Sequence, residues 1–334
     1  MTTFVSGATG MIGANIVQQL MERGENVRAL VRNEQRGRDL LPEGCELAKG
    51  DITEPDTLRG AMDGCDVVYH AAGLPEQWFK DPEIFTRVNV EGTRNMLEAA
   101  RQAKVRRFIY TSTIDVFQAG PGQVYDESVI DPEPKGTYYE RSKQTADRLA
   151  VEYLEKGMDI VFLHPSGLYG PGPAGSPGSN GLIADLIKGK VPMLLPGGFP
   201  VVYSIDCARG HILAADKAKA GDRFILSEGY YDLVSFTQTV ASIARVPRIP
   251  RVMPLWFARL FAAVGELVAN ITGNAPLLPK GQLHFLQWRA IPNADKARRV
   301  LNWDTRSLSE GVKATIAFLQ SENVLPNDSD IGKN

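Results

Sequence analysis

Two side chains on one predicted helix have the types and spacing of an acid/base pair. Tyr139 and Lys143 are four residues apart, so a helix places both on one face, although a packed tyrosine and a surface lysine of any helix share this spacing. A phenol with an ordinary pKa of about 10 is a poor base at neutral pH. Because a nearby lysine charge favours the phenolate, we expect Lys143 to lower the pKa of Tyr139. The pair predicts proton transfer to or from a hydroxyl or carbonyl oxygen.

Hydroxyl side chains follow a predicted strand at residues 107–110. Thr111, Ser112 and Thr113 come directly after this strand. In a doubly wound sheet, ligands bind at the carboxyl ends of the strands. We therefore expect the Thr113 hydroxyl to hold a substrate oxygen while Tyr139 transfers its proton, with a simple strand-end cap as the alternative interpretation.

A glycine-rich turn separates the first predicted strand, residues 2–6, from the first predicted helix, residues 11–23. Its sequence, GATGMIG at residues 7–13, has the spacing GxxGxxG. Glycine lets the backbone turn tightly and approach a pyrophosphate closely. The helix N-terminus adds free N–H groups and the positive end of a dipole. The turn predicts a dinucleotide site, with a ligand-free strand-to-helix connection as the alternative.

The end of the second predicted strand, residues 27–31, bears on the choice of nucleotide. NAD enzymes commonly have a carboxylate at this position for the ribose hydroxyls, whereas an arginine accommodates the 2′-phosphate of NADP. Here the strand is followed by Arg32 and Asn33, and Arg36 and Arg38 come soon after. The sequence favours NADP, and NAD is the alternative if Arg32 is only a solvated surface residue.

These residues need a framework, and the first 165 residues predict one. Short β-rich runs alternate with helical patterns, which is typical of a doubly wound parallel sheet. The predicted fold class is α/β, a Rossmann-type sheet with a smaller, mostly helical C-terminal substrate lobe. The domain assignment is a nucleotide-binding domain at 1–165 with a strand and helix returning from about 200–245, a substrate lobe at 166–200 and 246–325, and a frayed tail at 326–334.

Two segments of the predicted lobe have unusual composition. Residues 167–181 are rich in Gly, Pro and Ser, and we expect them to form a long loop. Residues 254–271 form an apolar helical pattern that Arg259 and Glu266 interrupt, which argues against a transmembrane span. We expect this helix to be buried or to act as a lid, with peripheral contact to a membrane as the alternative.

Composition excludes several classes of protein. The 334 residues carry a formal net charge of −2 and 43% of them are hydrophobic, so neither disorder nor a broad nucleic-acid footprint is predicted. Three single cysteines and four scattered histidines form no disulfide framework and no metal-ligand pair. No signal-peptide pattern is present at the N-terminus. We expect a cytoplasmic protein without a metal site.

Seven motifs in order resemble the extended short-chain dehydrogenase/reductase superfamily, the group of NAD-dependent epimerase/dehydratases, dihydroflavonol reductases and 3β-hydroxysteroid dehydrogenases. The resemblance covers about residues 1–230. The motifs are GATGMIG at 7–13, GDIT at 50–53, VVYHAAG at 67–73, NVEGTRNMLEAA at 89–100, YTST at 110–113, YYERSK at 138–143 and HPSGLYGPG at 164–172, with VYSIDCARGHILA at 202–214 as a weaker eighth.

The resemblance implies a role for each matching residue. Tyr139 is the expected proton donor or acceptor, Thr113 holds the substrate oxygen, and Lys143 binds the nicotinamide ribose and tunes the phenol. Asn89 matches a structural or cofactor-near asparagine. Together with the glycine turn and the strand tip, the expected cofactor-binding residues are Gly7, Thr9, Gly10, Met11, Ile12, Arg32, Asp51, Ile52, Ala71, Ala72, Gly73, Asn89, Thr111, Tyr139, Lys143, Pro165 and Leu168.

Three functions remain open at this point. The favoured one is NADP(H)-dependent interconversion of a ketone and a secondary alcohol on an apolar, steroid-, flavonoid- or terpenoid-like molecule. The second is a nucleotide-sugar epimerase or dehydratase with NAD, but residues 191–206 contain no Arg or Lys to meet a pyrophosphate. The third is a non-catalytic NADP-binding protein, against which the presence of Thr113, Tyr139 and Lys143 argues.

Large apolar residues predict the wall of a substrate pocket, with core packing as the alternative for each. The expected partner is a small carbonyl or alcohol substrate, without nucleic acid or a transmembrane span. The resemblance implies a homodimer formed through the helices at 82–103 and 138–156. The apolar residues are Trp78, Phe79, Phe117, Leu194, Leu195, Phe199, Trp256, Phe257, Phe261, Phe285 and Trp288.

Overall fold

The chain folds around β-strands that fall into one large and two small sheets. The structure, a computed structural model, describes residues 2–173 and 178–326. The strands are β1 (Thr2–Ser6), β2 (Asn26–Val31), β3 (Glu46–Lys49), β4 (Val67–His70), β5 (Arg107–Thr111), β6 (Val124–Tyr125), β7 (Ile160–Pro165), β8 (Gly167–Tyr169), β9 (Gly198–Tyr203), β10 (Arg223–Leu226), β11 (Gly229–Asp232) and β12 (Ile291–Pro292).

Helices connect and cover these strands. Between α3 and α4 the chain continues through a π-helical turn, Thr86–Glu91, so the three segments form one continuous helix. The helices are α1 (Met11–Glu22), α2 (Glu34–Leu40), α3 (Glu83–Phe85), α4 (Gly92–Gln102), α5 (Tyr138–Glu155), α6 (Asn180–Ile187), α7 (Ser204–Lys217), α8 (Leu233–Ala244), α9 (Leu255–Thr272), α10 (Lys280–Trp288) and α11 (Leu308–Ser321).

The large sheet is parallel and confirms the expected Rossmann-type fold. In the described part of the chain it has seven strands in the order β10-β7-β5-β4-β1-β2-β3. Its central strands are buried along their whole length, as in β4 and β7, because helices cover both faces. Helices α1 and α7 pack on one face, and α4 and α5 pack on the other.

The strand order reverses at β1. The chain leaves β1 for β2 on one side and returns to β4 on the other, with Ser6 of β1 paired to His70 of β4. Such a reversal opens a crevice at the carboxyl ends of the two strands, where ligands of doubly wound proteins bind. The glycine turn after β1 and Ala71–Gly73 after β4 both lie at this crevice.

The substrate lobe contains a sheet that the sequence did not predict. Strands β11, β9 and β8 form it, and α6, α8 and α11 pack against it around Phe199, Phe236 and Val312. Strand β8 lies inside the expected loop at 167–181, so that loop is shorter than predicted, and residues 174–177 of it lie outside the described residues. Within the expected return at about 200–245, helix α7 packs on the large sheet and β10 joins it, whereas α8 packs in the lobe. The predicted tail beyond Pro326 also lies outside the described residues.

Helix α9 corrects the expectation that residues 254–271 form a buried helix, while the lid stays a prediction. Only 17% of α9 is buried, and its 18 residues have a mean hydropathy of 1.3. By length and composition alone, this helix is apolar enough to cross a membrane. Its small side chains Ala258, Ala262 and Ala269 face the protein, whereas its large apolar side chains face outwards. The sequence pattern shows that the helix is apolar but not which of its sides packs against the protein. For this reason the sequence could not show that the large apolar side chains are exposed.

A buried carboxylate attaches α5 to the large sheet. Asp147 accepts a hydrogen bond of 2.6 Å from the Ser112 hydroxyl and pairs with Arg223 at 2.8 Å. Burial favours the protonated form of Asp147, but Arg223 outweighs this and lowers the pKa of the carboxyl. Because Ser112 follows β5 and Arg223 begins β10, one side chain connects three elements.

Replacing this carboxylate tests the connection. Asp147→Asn leaves Arg223 without its counter-charge, so we expect the free energy of unfolding to fall by about 3 kcal/mol. Urea unfolding at neutral pH measures the change. Asp56→Asn is the control, because its pair with Arg59 is exposed and exposed pairs contribute about 0.5 kcal/mol. Equal losses in both variants would contradict the importance of Asp147.

Candidate active site

One large cavity runs along the carboxyl edge of the main sheet and continues under the lobe. Its volume is about 1290 Å³. The glycine turn, the tip of β2, the ends of β4 and β5, the start of α5 and the segment after β7 line it. All the expected catalytic and cofactor-binding residues except Asn89 line this one cavity.

Backbone crowding explains the glycines of the first turn. Gly7 has a φ of +69°, and a Cβ there would lie 2.6 Å from the carbonyl carbon of Ala71. A Cβ on Gly13 would collide with the carbonyl oxygen of Gly7. Helix α1 follows Gly10 with no side-chain cap and no acidic residue in its first turn. Its N–H groups are therefore free for an anion such as a pyrophosphate.

Two arginines line the cavity at the tip of β2. Arg32 and Arg36 are exposed, and neither forms a salt bridge within the residues that the structure describes. The Asn33 side chain accepts the backbone N–H of Arg36 at 3.0 Å and so begins α2. The Asp51 carboxylate, just after the neighbouring strand β3, already accepts two hydrogen bonds from Thr53. A phosphate at this end of the cavity meets two guanidinium groups.

These features fit a nicotinamide dinucleotide. The backbone after Gly10 suits the pyrophosphate, and the tip of β2 suits the adenosine ribose. Pro165 and Leu168 line the opposite part of the cavity, near Lys143 and the lobe. The fit rests on the free N-terminus of α1 and on the tight turn at Gly7, which lets the backbone pass against Ala71 and Ala72 so that α1 begins at the cavity.

Helix α5 delivers Tyr139 and Lys143 to the cavity. A capping box begins the helix, in which Thr137 and Glu140 each accept the other's backbone N–H. Tyr139 lies in the first turn, and Lys143 follows one turn later. The buried Lys143 ammonium donates a hydrogen bond of 2.8 Å to the carbonyl oxygen of Thr111. The end of β5 therefore fixes where the lysine charge lies.

Thr113 links the phenol to a carboxylate. Its hydroxyl donates to Asp115 Oδ2 at 2.9 Å, and it lies close enough to the Tyr139 phenol to lower the pKa of that group. His164 Nδ1 lies 3.0 Å from the backbone carbonyl oxygen of Thr113. The threonine is thus held on both its backbone and its side chain, beside the tyrosine that it is expected to assist.

The structure contradicts the expected effect of Lys143 on Tyr139. Burial raises the pKa of the phenol above its ordinary value, and the Asp115 carboxylate raises it further, while the Thr113 hydrogen bond acts in the opposite direction. Burial lowers the pKa of Lys143 to about 8. Desolvation is the largest cause because the phenol is deeply buried, and Lys143 is not among the main groups that shift its pKa. Tyr139 is therefore protonated at neutral pH, which suits a proton donor.

Three carboxylate or amide side chains in the cavity were missed by the sequence analysis. Asp115, Glu76 and Gln77 line it, and each has a buried oxygen with no hydrogen-bond partner in the described structure. Burial, and then Glu140, raises the pKa of Asp115 to about 7. The only sequence signal was an acidic residue two positions after Thr113, which is no recognisable pattern. These oxygens are available to hydrogen-bond donors of a ligand.

Asn89 does not line the cavity, but its side chain holds together segments that do. Its side chain accepts the backbone N–H of Leu74 at 2.8 Å and donates to the Leu74 carbonyl and to the Ser142 hydroxyl. Asn89 lies in the π-helical turn, Thr86–Glu91. It thereby connects the loop after β4 with helix α5. Of the two expected roles, the structural one fits these contacts.

Apolar side chains of the lobe form the far wall of the cavity. Of the predicted residues, Leu194, Leu195, Phe199 and Phe285 line it, together with Val191, Met193 and Leu286, which were not predicted. The remaining predicted residues lie elsewhere. Trp78 and Phe79 lie outside the lining, Phe117 is in the core, Trp288 packs on Tyr125, and Trp256, Phe257 and Phe261 lie on the outer face of α9.

Within residues 2–173 and 178–326, no group of three or more His, Cys, Asp or Glu side chains is arranged to hold a metal ion.

Comparison with known proteins identifies the family. The NAD dependent epimerase/dehydratase family matches residues 3–226. The chain belongs to this family. This epimerase/dehydratase-family chain is an enzyme, an NAD(P)-dependent oxidoreductase of the extended short-chain dehydrogenase/reductase type. The family resemblance inferred from the sequence motifs is confirmed.

Three proteins illustrate what this epimerase/dehydratase-family chain is similar to. A putative dihydroflavonol 4-reductase of Synechocystis is 32% identical over 325 residues, covering 95% of this chain and 94% of that protein. A ketoreductase of Stigmatella aurantiaca that acts on a farnesylated dihydroquinoline oxide is 31% identical, covering 92% of both chains. The crystal structure of gox2253 superposes with a TM-score of 0.82 at 29% identity, covering 97% of this chain and 99% of that one.

The buried Asp115 predicts an unusual pH dependence of stability. Its pKa rises from an ordinary 3.8 to about 7 on folding, so the folded state binds the proton more tightly than the unfolded state. This contribution to stability is present below about pH 4 and is lost as the pH rises through about 7. Asp115→Asn removes the titration, so urea unfolding across this range should show a flatter pH dependence in the variant. Identical slopes in both proteins would contradict the assignment.

Proposed function

We propose that the chain is an NADP(H)-dependent reductase or dehydrogenase that interconverts a ketone and a secondary alcohol on an apolar small molecule. A steroid-, flavonoid- or terpenoid-like substrate suits the apolar lobe wall. One observation carries the proposal: Thr113, Tyr139 and Lys143 meet in a cavity that has a nucleotide-binding turn at one end and an apolar wall at the other. The names of the ketoreductase and dihydroflavonol reductase relatives agree with it.

Each catalytic side chain has one task in this proposal. Thr113 and Tyr139 bind the carbonyl oxygen of the substrate, and Tyr139 gives its phenolic proton to that oxygen in the reduction. A bound reduced nicotinamide supplies the hydride that the carbonyl carbon accepts. Lys143, held by the Thr111 carbonyl, provides a positive charge beside the phenolate that Tyr139 becomes. The reverse direction returns the proton to Tyr139.

The cofactor proposal rests on the tip of β2. Arg32 and Arg36 face the cavity without a carboxylate partner in the described residues, which suits the 2′-phosphate of NADP. The family is described as NAD-dependent, and this supports a nicotinamide dinucleotide as the cofactor. The preference for NADP over NAD is the part that needs a binding measurement.

The nucleotide-sugar alternative places a second pyrophosphate in the lobe. The lobe residues that line the cavity between 182 and 199 are all apolar, namely Leu182, Val191, Met193, Leu194, Leu195 and Phe199. A pyrophosphate there would lack a cationic partner from this segment. Glu76 and Gln77 instead offer buried acceptor oxygens, which suit a hydroxyl of an otherwise apolar substrate.

Replacing the phenol tests catalysis. Tyr139→Phe removes the proton donor, so we expect kcat to fall about 10²–10⁴-fold while NADPH affinity stays nearly unchanged. Steady-state reduction of steroid, flavonoid and terpenoid ketones measures the effect. Tyr138→Phe is the matched control, because Tyr138 is the neighbouring residue and is 56% exposed. A near-normal kcat in Tyr139→Phe would remove Tyr139 from the mechanism, and no turnover by the unmodified protein would favour the non-catalytic alternative.

Replacing the arginines tests the cofactor. Arg32→Ala with Arg36→Ala should weaken NADPH binding at least about 100-fold, since hydrogen bonds to a charged group contribute about 1.5–3 kcal/mol for each arginine. NADH binding should change little. Calorimetric titration measures both affinities, with Arg38→Ala as the control because Arg38 pairs with Glu34 and does not line the cavity. Equal losses for both cofactors would show that these arginines do not bind the 2′-phosphate.

The cofactor carried by the purified protein separates the reductase from the epimerase. Denaturing the protein and identifying the released nicotinamide by chromatography gives its identity and stoichiometry. Release of near-stoichiometric NAD would support a recycled cofactor and the epimerase or dehydratase alternative. A protein that is empty but binds NADPH more tightly than NADH supports the reductase, which exchanges its cofactor at each turnover.

The proposal includes a homodimer in the cytoplasm. The dimer would form through α5 and the helix at residues 83–102, where the exposed Tyr138 lies beside a shallow groove lined by Phe85 and Val90. Three free cysteines, Cys45, Cys65 and Cys207, suit a reducing compartment.

A further inference from the structure

Helix α9 and the turn after it form a large apolar surface. The outward side chains recur at spacings of three and four residues, so they share one face of the helix. Trp256 is 68% exposed, Leu267 63% and Ile271 76%, and Leu277 just beyond the helix is 91% exposed. We call this surface the α9 face; its residues are Trp256, Phe257, Leu260, Phe261, Val264, Leu267, Val268, Ile271 and Leu277.

The side of α9 that faces the protein is narrow and made of small residues. Ala258 and Ala262 pack with Leu278 and Leu283 in a separate small core. Leu283 lies on α10, whose residues Phe285 and Leu286 line the active-site cavity. The α9 face is thus one helix away from the cavity wall. Because α9 packs along α10 on this side, it is a surface element of the lobe.

The segment of the chain that contains α9 is basic, although the whole chain has a net charge of −2. Residues 233–289 contain six Lys or Arg side chains and one carboxylate, Glu266. That carboxylate is paired with Lys280 at 3.2 Å. The arginines before and within α9 form no salt bridge in the described part of the chain, and all are exposed. They are Arg245, Arg248, Arg251 and Arg259.

We propose that the α9 face docks on the surface of an anionic lipid bilayer. The outward side chains enter the boundary between headgroups and acyl chains, and the arginines bind the anionic headgroups. A helix with tryptophan and leucine on one face and arginine at its flank is typical of this interfacial position. Helix α9 lies in the plane of the membrane, because its alanine side remains packed on α10.

Charge favours a bilayer over a second copy of this chain. A symmetric dimer through the α9 face would place the same patch on both sides of the interface. Arg259 within α9 and Arg251 shortly before it would then approach the same residues of the other copy, with Glu266 already neutralised within each copy. An anionic bilayer has the opposite charge and an apolar interior, so it complements both features of the face.

Docking in this way gives the cavity a source of substrate. Apolar ketones partition into lipid, and the lobe wall of the cavity lies directly behind α10. This consequence, unlike the docking itself, rests on the proposed reductase function. The docking is therefore tested by vesicle binding alone, without a measurement of activity.

The first experiment removes apolar area from the α9 face. The full chain is sedimented with vesicles of phosphatidylcholine containing phosphatidylglycerol, and the bound fraction gives a partition coefficient. We expect the unmodified chain to bind and the double variant Trp256→Ser, Leu267→Ser to bind about 100-fold more weakly. The matched control is Val124→Ser, Val129→Ser, which also removes two exposed apolar side chains, but away from α9. NADPH binding and circular dichroism confirm that the variants are folded.

The second experiment removes charge. Each arginine near an anionic surface contributes about fivefold to binding, so Arg248→Gln, Arg251→Gln, Arg259→Gln should lower the partition coefficient about 100-fold. The control Arg59→Gln, Arg94→Gln, Arg101→Gln removes three exposed arginines elsewhere and should leave binding unchanged. Vesicles of phosphatidylcholine alone should bind the unmodified chain more weakly than the anionic vesicles.

Three results would overturn the proposal. One is an unmodified chain that does not bind anionic vesicles. Another is binding that the apolar variant retains in full. The third is that light scattering shows the unmodified chain as a dimer and the apolar variant as a monomer, while neither protein binds vesicles. A second copy of the chain would then cover the α9 face.

Discussion

The position of helix α5 determines the active site, and a buried carboxylate is a central link between that helix and the sheet. Asp147 binds Ser112 at the end of β5 and Arg223 at the start of β10. A buried charge that loses a partner is costly, so alternative positions of the helix are strongly disfavoured. Tyr139 and Lys143, two turns and one turn before Asp147, are therefore held relative to the hydroxyl of Thr113. The positions of the catalytic side chains thus depend on a residue that does not line the cavity.

The nucleotide-binding domain is the part of the fold that the sequence predicts well. Buried parallel strands appear as short apolar runs, and the glycine turn after β1 has its own backbone requirements, visible at Gly7. The lobe is different. Strands β8 and β9 lie among glycine and proline residues, where no alternation of polar and apolar side chains identifies them. The orientation of α9 depends on a partner, α10, that lies further along the chain, and no local pattern shows it.

The sequence predicts most of the residues that line the candidate site, but it does not predict their pKa values. Residues such as Tyr139 and Arg32 were assigned because motif spacing and strand ends determine which side chains meet at one sheet edge. The pKa of Tyr139 was misjudged because sequence spacing gives the distance to Lys143 but not the extent of burial. Asp115 and Glu76 were missed for a related reason: an isolated carboxylate has no motif, and its importance arises only when the fold removes it from water.

The π-helical turn, Thr86–Glu91, places a constraint on the length of the chain. A π turn takes one residue more than an α turn, and it absorbs that residue locally, so the helix on either side keeps nearly the same rotational phase. Deleting one residue here would restore a regular α-helix while leaving α3 and α4 in place. The bulge that carries Asn89 would be lost, and with it the support of the loop at Leu74. The extra residue therefore serves the position of one asparagine and not the helices on either side.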